Sequence, residues 1–588
     1  MVFGHNINKY YLKYWYLYLI GFLSLLVVDY YGSIVPPKII GAIVNDLTNA
    51  TMTDVLLKGY IGQLLLSLVL CVVMRFLWRF AFFGASCLIT HKMRHELFAK
   101  SLKLSQTFYS NNKVGGLMAY YTNDIEEIGE SIGWGFMEMC DIIILTPSIL
   151  YNMFKLNWVV TLFALIPLVL IGIGAAFIMR FMSNRFKARQ DEYEKLSDYT
   201  TESISGIRVV KAFVKEAQEE ADFEKENQVN YEVNMSFIKL QMIFHTVLDL
   251  LIWLAYLAIV GVGSYFVINN VGGKLGINIG TLTQFVAYFD TLIWPMFAVG
   301  EVINMASRGK ASLTRYNYII DCEIDLIDGE KTINPDEFTG NITFNHLTFS
   351  YPDGNKPALN DVSFEIKEGE FIGIIGKTGS SKTTLVNLLL RLYNVGPQEI
   401  LIDGEDIMSY KIHDLREMIG YVPQDNFLYS TTIEDNIAFK TGEVRPDVVT
   451  RTAKIAGVHR DISEFPNQYR TVLGERGVSV SGGQKQRISI ARALYNDPKI
   501  LILDDALSAV DTKTEADILS FLKNERKNKT TILIAHRISS IKSADKIAVF
   551  DDGGVLSGFD THENLLKNNS IYRETYNLQQ LEEERQNG

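Results

Sequence analysis

A lysine and a threonine behind a glycine-rich turn, and an aspartate closing an apolar run, are residue types that handle phosphate and a divalent cation. Both patterns occur in the second half of this 588-residue chain. Phe371-Ile-Gly-Ile-Ile375 reads as a short buried strand. It leads into Gly376-Lys377-Thr378-Gly379-Ser380-Ser381-Lys382-Thr383-Thr384, and 385–392 continue as a helical run. Strand, glycine-rich loop and helix are the context that a Walker A phosphate loop requires. The N–H groups of such a loop and of the helix N-terminus cradle phosphates. Lys382 is expected to reach the β- and γ-phosphates of a nucleotide, and the Thr383 hydroxyl to ligate Mg2+. Further on, Ile500-Leu-Ile-Leu503-Asp504 is an apolar strand ending in a carboxylate, the Walker B pattern, which puts Asp504 in the Mg2+ shell. A hydrolytic site then wants a carboxylate near the attacking water, and the next residue is Asp505.

Between these two motifs lies Val480-Ser481-Gly482-Gly483-Gln484-Lys-Gln-Arg487. On this segment, placed between two Walker motifs in this order, the chain resembles the ATPases of ABC transporters, whose signature is written LSGGQ; Val480 replaces the leucine. The other marks of the family are present. Tyr351 resembles the aromatic that stacks on adenine. Gln424, in Tyr-Val-Pro-Gln424-Asp, resembles the Q-loop glutamine that senses Mg2+ and touches the membrane domain. Ser508-Ala-Val-Asp511 resembles the D-loop, and His536, in Ile-Ala-His536-Arg, the switch histidine that contacts the γ-phosphate. Gly474-Glu475-Arg476-Gly477 resembles the exporter X-loop, Thr122-Asn-Asp124 a first coupling region, and Gly206-Ile-Arg-Val-Val-Lys-Ala-Phe213 the cytoplasmic helix pair after the fourth span. The resemblance implies binding of ATP with Mg2+ between Walker motifs of one chain and Ser481, Gly482, Gly483 and Gln484 of another, and transport by alternating access.

Two departures from the family pattern bear on the chemistry. Ser381 stands where the second Walker A glycine belongs, and Asp505 where a catalytic glutamate is expected. Aspartate is shorter by one carbon–carbon bond, about 1.5 Å, and a misplacement of about 1 Å in a positioned group can reduce a rate on the order of 10²-fold. Both departures fall on the same composite site, while the signature, which serves the other site, is intact. That asymmetry resembles the degenerate-site subunit of bacterial heterodimeric multidrug exporters. A homodimer with two slow sites is the alternative. Intact Tyr351, Lys382, Thr383, Asp504 and His536 imply that Mg-ATP still binds.

The elements that must carry this domain are not those of a soluble enzyme. Lys plus Arg number 56 against 67 Asp plus Glu, a net charge of −11, which argues against a general nucleic-acid binder. Four cysteines, Cys71, Cys87, Cys140 and Cys322, exclude a disulfide-stapled secreted scaffold and fit no zinc spacing. A mean hydropathy of +0.10 averages two unlike halves. Up to about residue 305, six runs near 14–36, 59–83, 131–153, 157–181, 243–268 and 279–304 approach the roughly 20 apolar residues that span a bilayer. Residues 162–178 are apolar all round rather than on one stripe. The first run is too long for a signal-peptide core, and no small-residue cleavage site follows.

The connections near 37–58, 154–157 and 269–278 are short and hold few cations. Those near 84–130 and 182–242 hold many, among them Lys92, Arg94, Lys100, Arg185, Lys187, Arg189 and Lys211. The positive-inside rule places these long connections, the N-terminus and the nucleotide half in the cytoplasm. Segment 182–242 has few helix breakers and reads as continuous helix extending below the bilayer. Arg75, Arg79, Glu138, Asp141, His245, Asp249 and Asp290 lie within or near the spans, where a charge is expected to pair between helices or line a cavity.

The fold class expected is an all-α polytopic membrane domain of six transmembrane helices, of the ABC exporter type, followed by an α/β P-loop nucleotide-binding domain. The boundaries read as 1–320 for the membrane domain, 321–340 for a linker and 341–588 for the nucleotide domain. The resemblance implies a multi-pass protein of the bacterial plasma membrane that exports hydrophobic or amphipathic compounds. Its partner is a second half-transporter, and nucleic acid has no part in it. A lipid or peptide exporter, an importer on the exporter fold and an ATP-gated channel are the rival readings.

Overall fold

All six apolar runs are helical, and the helices outrun the bilayer. The computed structural model describes residues 4–112, 114–269, 277–352, 354, 356–474, 477 and 479–587. The side chains of 114, 168–169, 171–181, 183 and 582–587 stand outside the description. Helices α1 (Trp15–Thr48), α2 (Asp54–Ser101), α3 (Gly115–Leu156), α5 (Glu216–Ile268) and α6 (Ile279–Ile320) are each long and apolar enough to cross a membrane. Helix α4 (Trp158–Ser205) contributes the apolar stretch Trp158–Pro167. Most side chains of the span expected at 157–181 lie outside the described residues. A hydrocarbon core is about 30 Å thick, and a helix rises about 1.5 Å per residue. The 48 residues of α2 and of α4 and the 53 of α5 therefore extend far beyond it.

Much of the surface of these helices is apolar. Only 17% of the most apolar window of α2 is buried, and Leu65, Leu68, Val69, Val72 and Phe76 face outward. A soluble monomer does not expose apolar surface on this scale; a lipid-facing one does. Where helices touch, small residues let backbones approach. A Cβ on Gly280 would lie 2.1 Å from the Gly41 carbonyl oxygen, and the Gly280 N–H donates to Asn45 Oδ1 at 2.8 Å. Some ionisable residues inside the spans have polar partners. Trp134 Nε1 donates to Glu138 Oε1 at 2.8 Å, and the Tyr256 hydroxyl to Asp290 Oδ1 at 2.8 Å. The Asp141 carboxyl of α3 lies beside that of Asp29 of α1, with Arg75 of α2 close by.

Two stretches differ from the sequence reading. The helix does not stop with the first apolar run near 36: α1 passes through a π-helical turn at Asp29–Ile34 and continues as Val35–Thr48, into the connection expected at 37–58. Pro36 and Pro37 fall at the start of that last stretch, where a missing N–H is tolerated. Segment 182–242 is not one helix either. Gly206 closes α4, a short helix Ile207–Ala212 follows, Val214 takes a left-handed φ of +54°, and α5 begins at Glu216. Helices α4 and α5 then run back along each other. Arg185 Nη1 donates to Ser236 Oγ at 2.6 Å, and Arg189 lies over the Phe186 and Phe237 rings.

The chain forms two compact units, Met1–Ser101 with Gly115–Cys322, and Leu102–Val114 with Glu323–Gly588. The short helix Gln106–Asn111 thus belongs to the second unit. Thr122-Asn-Asp124, expected as a coupling region, stays in the first as the π-helical turn Tyr120–Asp124. There Arg315 Nε of α6 donates to both carboxylate oxygens of Asp124, and Ser312 Oγ adds a bond of 2.9 Å.

In the second unit, β1 (Ile342–Phe349), β2 (Leu359–Ile366), β4 (Ile400–Ile402) and β5 (Glu405–Asp406) form an antiparallel sheet in the order β2-β1-β4-β5. The second sheet has β3 (Phe371–Gly376), β6 (Ile419–Val422), β7 (Ile500–Asp504), β8 (Thr530–Ile534), β9 (Lys546–Phe550) and β10 (Leu556–Asp560), in the order β10-β9-β3-β8-β7-β6. All its pairs are parallel except β10 with β9. The runs Ile-Leu-Ile-Leu-Asp and Thr-Thr-Ile-Leu-Ile are buried at every position, as strands covered on both faces must be. Their carboxyl ends carry the chemistry.

Candidate nucleotide site

Helix α7 (Lys382–Leu389) starts directly after β3, so the turn 377–381 must reverse the chain within a few residues. Glycine is obligatory at its entrance: a Cβ on Gly376 would meet Ser380 Oγ at 2.5 Å and the Phe550 carbonyl oxygen at 2.6 Å. Lys377 and Thr378 are exposed, as is Gly379, whose φ is +86°; Ser380 is fully buried. Ser381 also sits in the left-handed region, at φ +63°, ψ +23°. The residue that departs from the Walker pattern therefore occupies a conformation glycine adopts freely, and any other residue only at a penalty.

Lys382 is buried and donates to the carbonyls of Gly376 and Lys377, each at 2.8 Å, and to Ser380 Oγ at 3.3 Å. Burial lowers its pKa, opposed by the negative charge of Asp504 and Asp505. Asp504, at the end of β7, is 1% exposed. Burial raises its carboxyl above the usual range; a bond from Thr383 and the charges of Lys382 and His536 pull the other way. Its Oδ2 is buried with no hydrogen-bond partner. A buried, orphaned carboxylate oxygen beside a threonine hydroxyl fits a small hard cation, which takes oxygen ligands. Thr383 and Asp504 could hold Mg2+.

Asp505 takes φ +48°, and its N–H donates to the Ile534 carbonyl at 3.0 Å, which ties it to β8. Together with Ser508, Glu515, His536, Arg537 and Ser540 it lines a cavity of about 140 Å³. Tyr351 is half-buried; its hydroxyl bonds Thr384 Oγ1 at 2.8 Å and its ring meets Phe349 and Tyr393 edge-on. Gln424, exposed, follows β6, the strand beside β7.

The signature residues begin a different element. Ser481 caps helix α8 (Gly482–Leu494) in a reciprocal box: Ser481 Oγ accepts from Gln484 N at 3.2 Å, and Gln484 Oε1 accepts from Ser481 N at 3.0 Å. The first N–H groups of α8, at Gly482 and Gly483, remain available at an exposed helix N-terminus. Gly483 must be small, since a Cβ would lie 2.7 Å from the Ala509 carbonyl oxygen. Asp511 caps helix α9 (Thr512–Glu525), accepting from Thr514 N at 3.0 Å, and this bond lowers its pKa. Glu475 and Arg476 of the expected X-loop lie outside the described residues.

The structure thus gathers Lys382, Thr383, Asp504, Asp505 and His536 at one place, and puts Ser481–Gln484 on a separate helix. Sequence reasoning passed over Gln486, which joins the two. Its Nε2 donates to Ser508 Oγ at 3.1 Å, and its Oε1 accepts from Ala509 N at 2.9 Å. Nothing in a single sequence marks it, because its role rests on burial and on its contacts with Ser508 and Ala509.

A phosphate loop, a Walker B carboxylate and a capped signature helix on one α/β domain, behind helices that span a membrane, define a nucleotide-driven transporter. Comparison with known proteins agrees. Residues 17–296 match the ABC transporter transmembrane region and residues 359–508 the ABC transporter family. The chain is 38% identical to the probable multidrug resistance ABC transporter ATP-binding/permease protein YheI of Bacillus subtilis (strain 168), over 97% of this chain and 96% of that one. It is 33% identical to the multidrug resistance-like ATP-binding protein MdlA of Escherichia coli (strain K12), over 98% and 96%. The structure of a bacterial Atm1-family ABC exporter with ATP bound superimposes with a TM-score of 0.76 at 26% identity, covering 97% of this chain and 98% of that one. The chain belongs to the ABC transporter family: an exporter-type transmembrane domain is fused to an ATP-binding domain. It is a bacterial membrane protein with its nucleotide domain in the cytoplasm, and it couples ATP to export.

Proposed function

We propose that this chain is one half of a heterodimeric exporter of hydrophobic or amphipathic compounds, and that it contributes the slow, degenerate ATP site. One observation carries this reading. Ser381 and Asp505, the two departures from the family pattern that bear on the chemistry, lie on the same Walker face, while Ser481, Gly482, Gly483 and Gln484 are unaltered. The names of the relatives support the compound class.

In this reading Tyr351 stacks on adenine, residues 376–384 wrap the phosphates and Lys382 neutralises them. Thr383 and Asp504, with Gln424, hold Mg2+, which supplies charge neutralisation between the β- and γ-phosphates. His536 faces the γ-phosphate. The partner's signature closes this site, and Ser481–Gln484 with Asp511 close the partner's. A shortened carboxylate at 505 leaves the attacking water poorly held, so ATP binds here and is hydrolysed chiefly across the interface.

Pairing has its own support. Ile204, Ile207, Val209, Phe213 and Val214 are all exposed on the cytoplasmic turn between α4 and α5, outside the stretch that crosses lipid. A second chain is the natural cover for them.

The test is made on the assembled transporter. Asp505→Glu is expected to leave its ATPase unchanged, and loss of the partner's catalytic glutamate to abolish it. Turnover that survives the partner's loss overturns the reading.

A further inference from the structure

The chain's last helix, α10 (Ser570–Asn587), reaches back to the switch histidine. Gln579 Nε2 donates to the His536 carbonyl at 2.7 Å, and Gln579 Oε1 accepts from Ile538 N–H at 2.8 Å. These two backbone groups flank Arg537, directly after His536. A carbonyl and an N–H together leave one assignment of the amide: nitrogen to the carbonyl, oxygen to the N–H. The fork therefore fixes the peptide units on both sides of Arg537, the first of which is the one that leaves His536.

The helix that carries Gln579 is itself anchored. Tyr572, two turns earlier, is fully buried and bonds His562 Nδ1 at 2.7 Å, and its N–H donates to Asn569 Oδ1 at 2.9 Å. The other ties on the switch segment come from within the nucleotide core. Ala535 N–H donates to the Ile374 carbonyl at 3.2 Å, and Ser540 hydrogen-bonds Glu515. His536 itself is exposed, so its side chain is aimed by its backbone rather than by packing.

We propose that Gln579 is a positioning residue for His536, through which the C-terminal helix sets how strongly this Walker face prefers a nucleoside triphosphate to a diphosphate. The proposal rests on the reading that His536 faces the γ-phosphate. It does not depend on whether the site hydrolyses ATP or on the identity of the partner.

The experiment is equilibrium binding to the full chain in lipid, with a non-hydrolysable ATP analogue and ADP each competing against a fluorescent nucleotide. His536→Ala is expected to reduce the triphosphate preference about tenfold. Gln579→Ala is expected to reduce it about threefold to tenfold, the scale of one weakened hydrogen bond, with ADP affinity unchanged. In the His536→Ala background Gln579→Ala should then add nothing, since both act through one contact. Gln579→Glu retains the acceptor for Ile538 N–H and loses the donor to His536, and should follow the alanine variant. Thermal unfolding of each variant reports folding separately.

A Gln579→Ala variant that weakens both nucleotides equally, or whose effect adds to that of His536→Ala, overturns the proposal. So does unaltered preference in Gln579→Glu. If His536→Ala leaves the preference intact, the γ-phosphate role of His536 fails and the proposal with it. That result is distinct from one in which His536→Ala acts and Gln579→Ala does not.

Discussion

The Walker face and the signature face of this nucleotide domain have been treated differently. On the signature face, Val480 apart, the local devices agree with the family pattern: Ser481 and Gln484 cap each other, and Gly483 fits against Ala509 where no side chain could. On the Walker face two residues hold left-handed conformations that glycine or a short polar residue tolerates best, Ser381 at φ +63° and Asp505 at φ +48°. The binding groups around them, Lys382, Thr383 and Asp504, remain in place. One face has kept what it needs to serve a neighbour, and the other has kept what it needs to hold a ligand.

The largest expected effect comes from breaking the intact face. Ser481→Arg in this chain removes the cap and puts a cation and a long side chain at the phosphate end of α8. The ATPase of the assembled transporter should fall on the order of 10²-fold or more. Asp505→Asn on the opposite face of the same chain should change it less than about twofold. Equal losses from the two variants would erase the contrast between the faces.

A smaller effect is expected at Asp504, where function and stability pull apart. Burial raises its carboxyl above the usual carboxylate range. The folded chain therefore keeps a proton that the unfolded chain has lost, and stability falls as pH rises through that window. Asp504→Asn should remove this slope. It should also raise the unfolding temperature of the nucleotide-free protein, because a neutral amide is less costly to bury than an unpaired carboxylate. Mg-dependent ATP binding should be lost. Calorimetry across pH, with and without Mg-ATP, checks both halves; a destabilised Asp504→Asn protein would contradict them.

Smallest is Ser381→Gly. Relief of the left-handed strain is on the order of 1 kcal/mol, partly offset by the greater freedom of glycine in the unfolded chain. A gain of a few tenths of a kcal/mol and slightly tighter ATP binding are expected from denaturant titration and nucleotide affinity. A loss of ATP affinity would mean that the Ser381 side chain itself contributes to binding.

Much of this was legible in the residues. The apolar runs before Gly376 and Asp504 read as buried strands and are strands, and the order Lys382, Ser481–Gln484, Asp504, His536 pointed to the ATP-binding family that the comparison matches. The helical spans were read from uniform hydropathy, which is the signal lipid imposes. What escaped depended on backbone geometry or on distant contacts. The π-helical turn at Asp29–Ile34 leaves the apolar pattern almost unchanged, and the continuation of α1 to Thr48 falls where the sequence reads as a connection. The break at Gly206 and Val214 is carried by one weak helix former and one strained residue inside a charged helical stretch. Gln486 and Gln579 act through hydrogen bonds to backbone groups, the latter over 43 residues of separation, and side chains of that kind leave no pattern in a single sequence.

The most direct test is the ATPase rate of this chain purified alone in lipid, with its oligomeric mass measured on the same sample. A folded chain that binds ATP and turns it over barely at all is the predicted result, because the proposal assigns the competent Walker face to a partner. A stable homodimer with clear turnover would contradict the account, because Asp505 would then be acting as a working base.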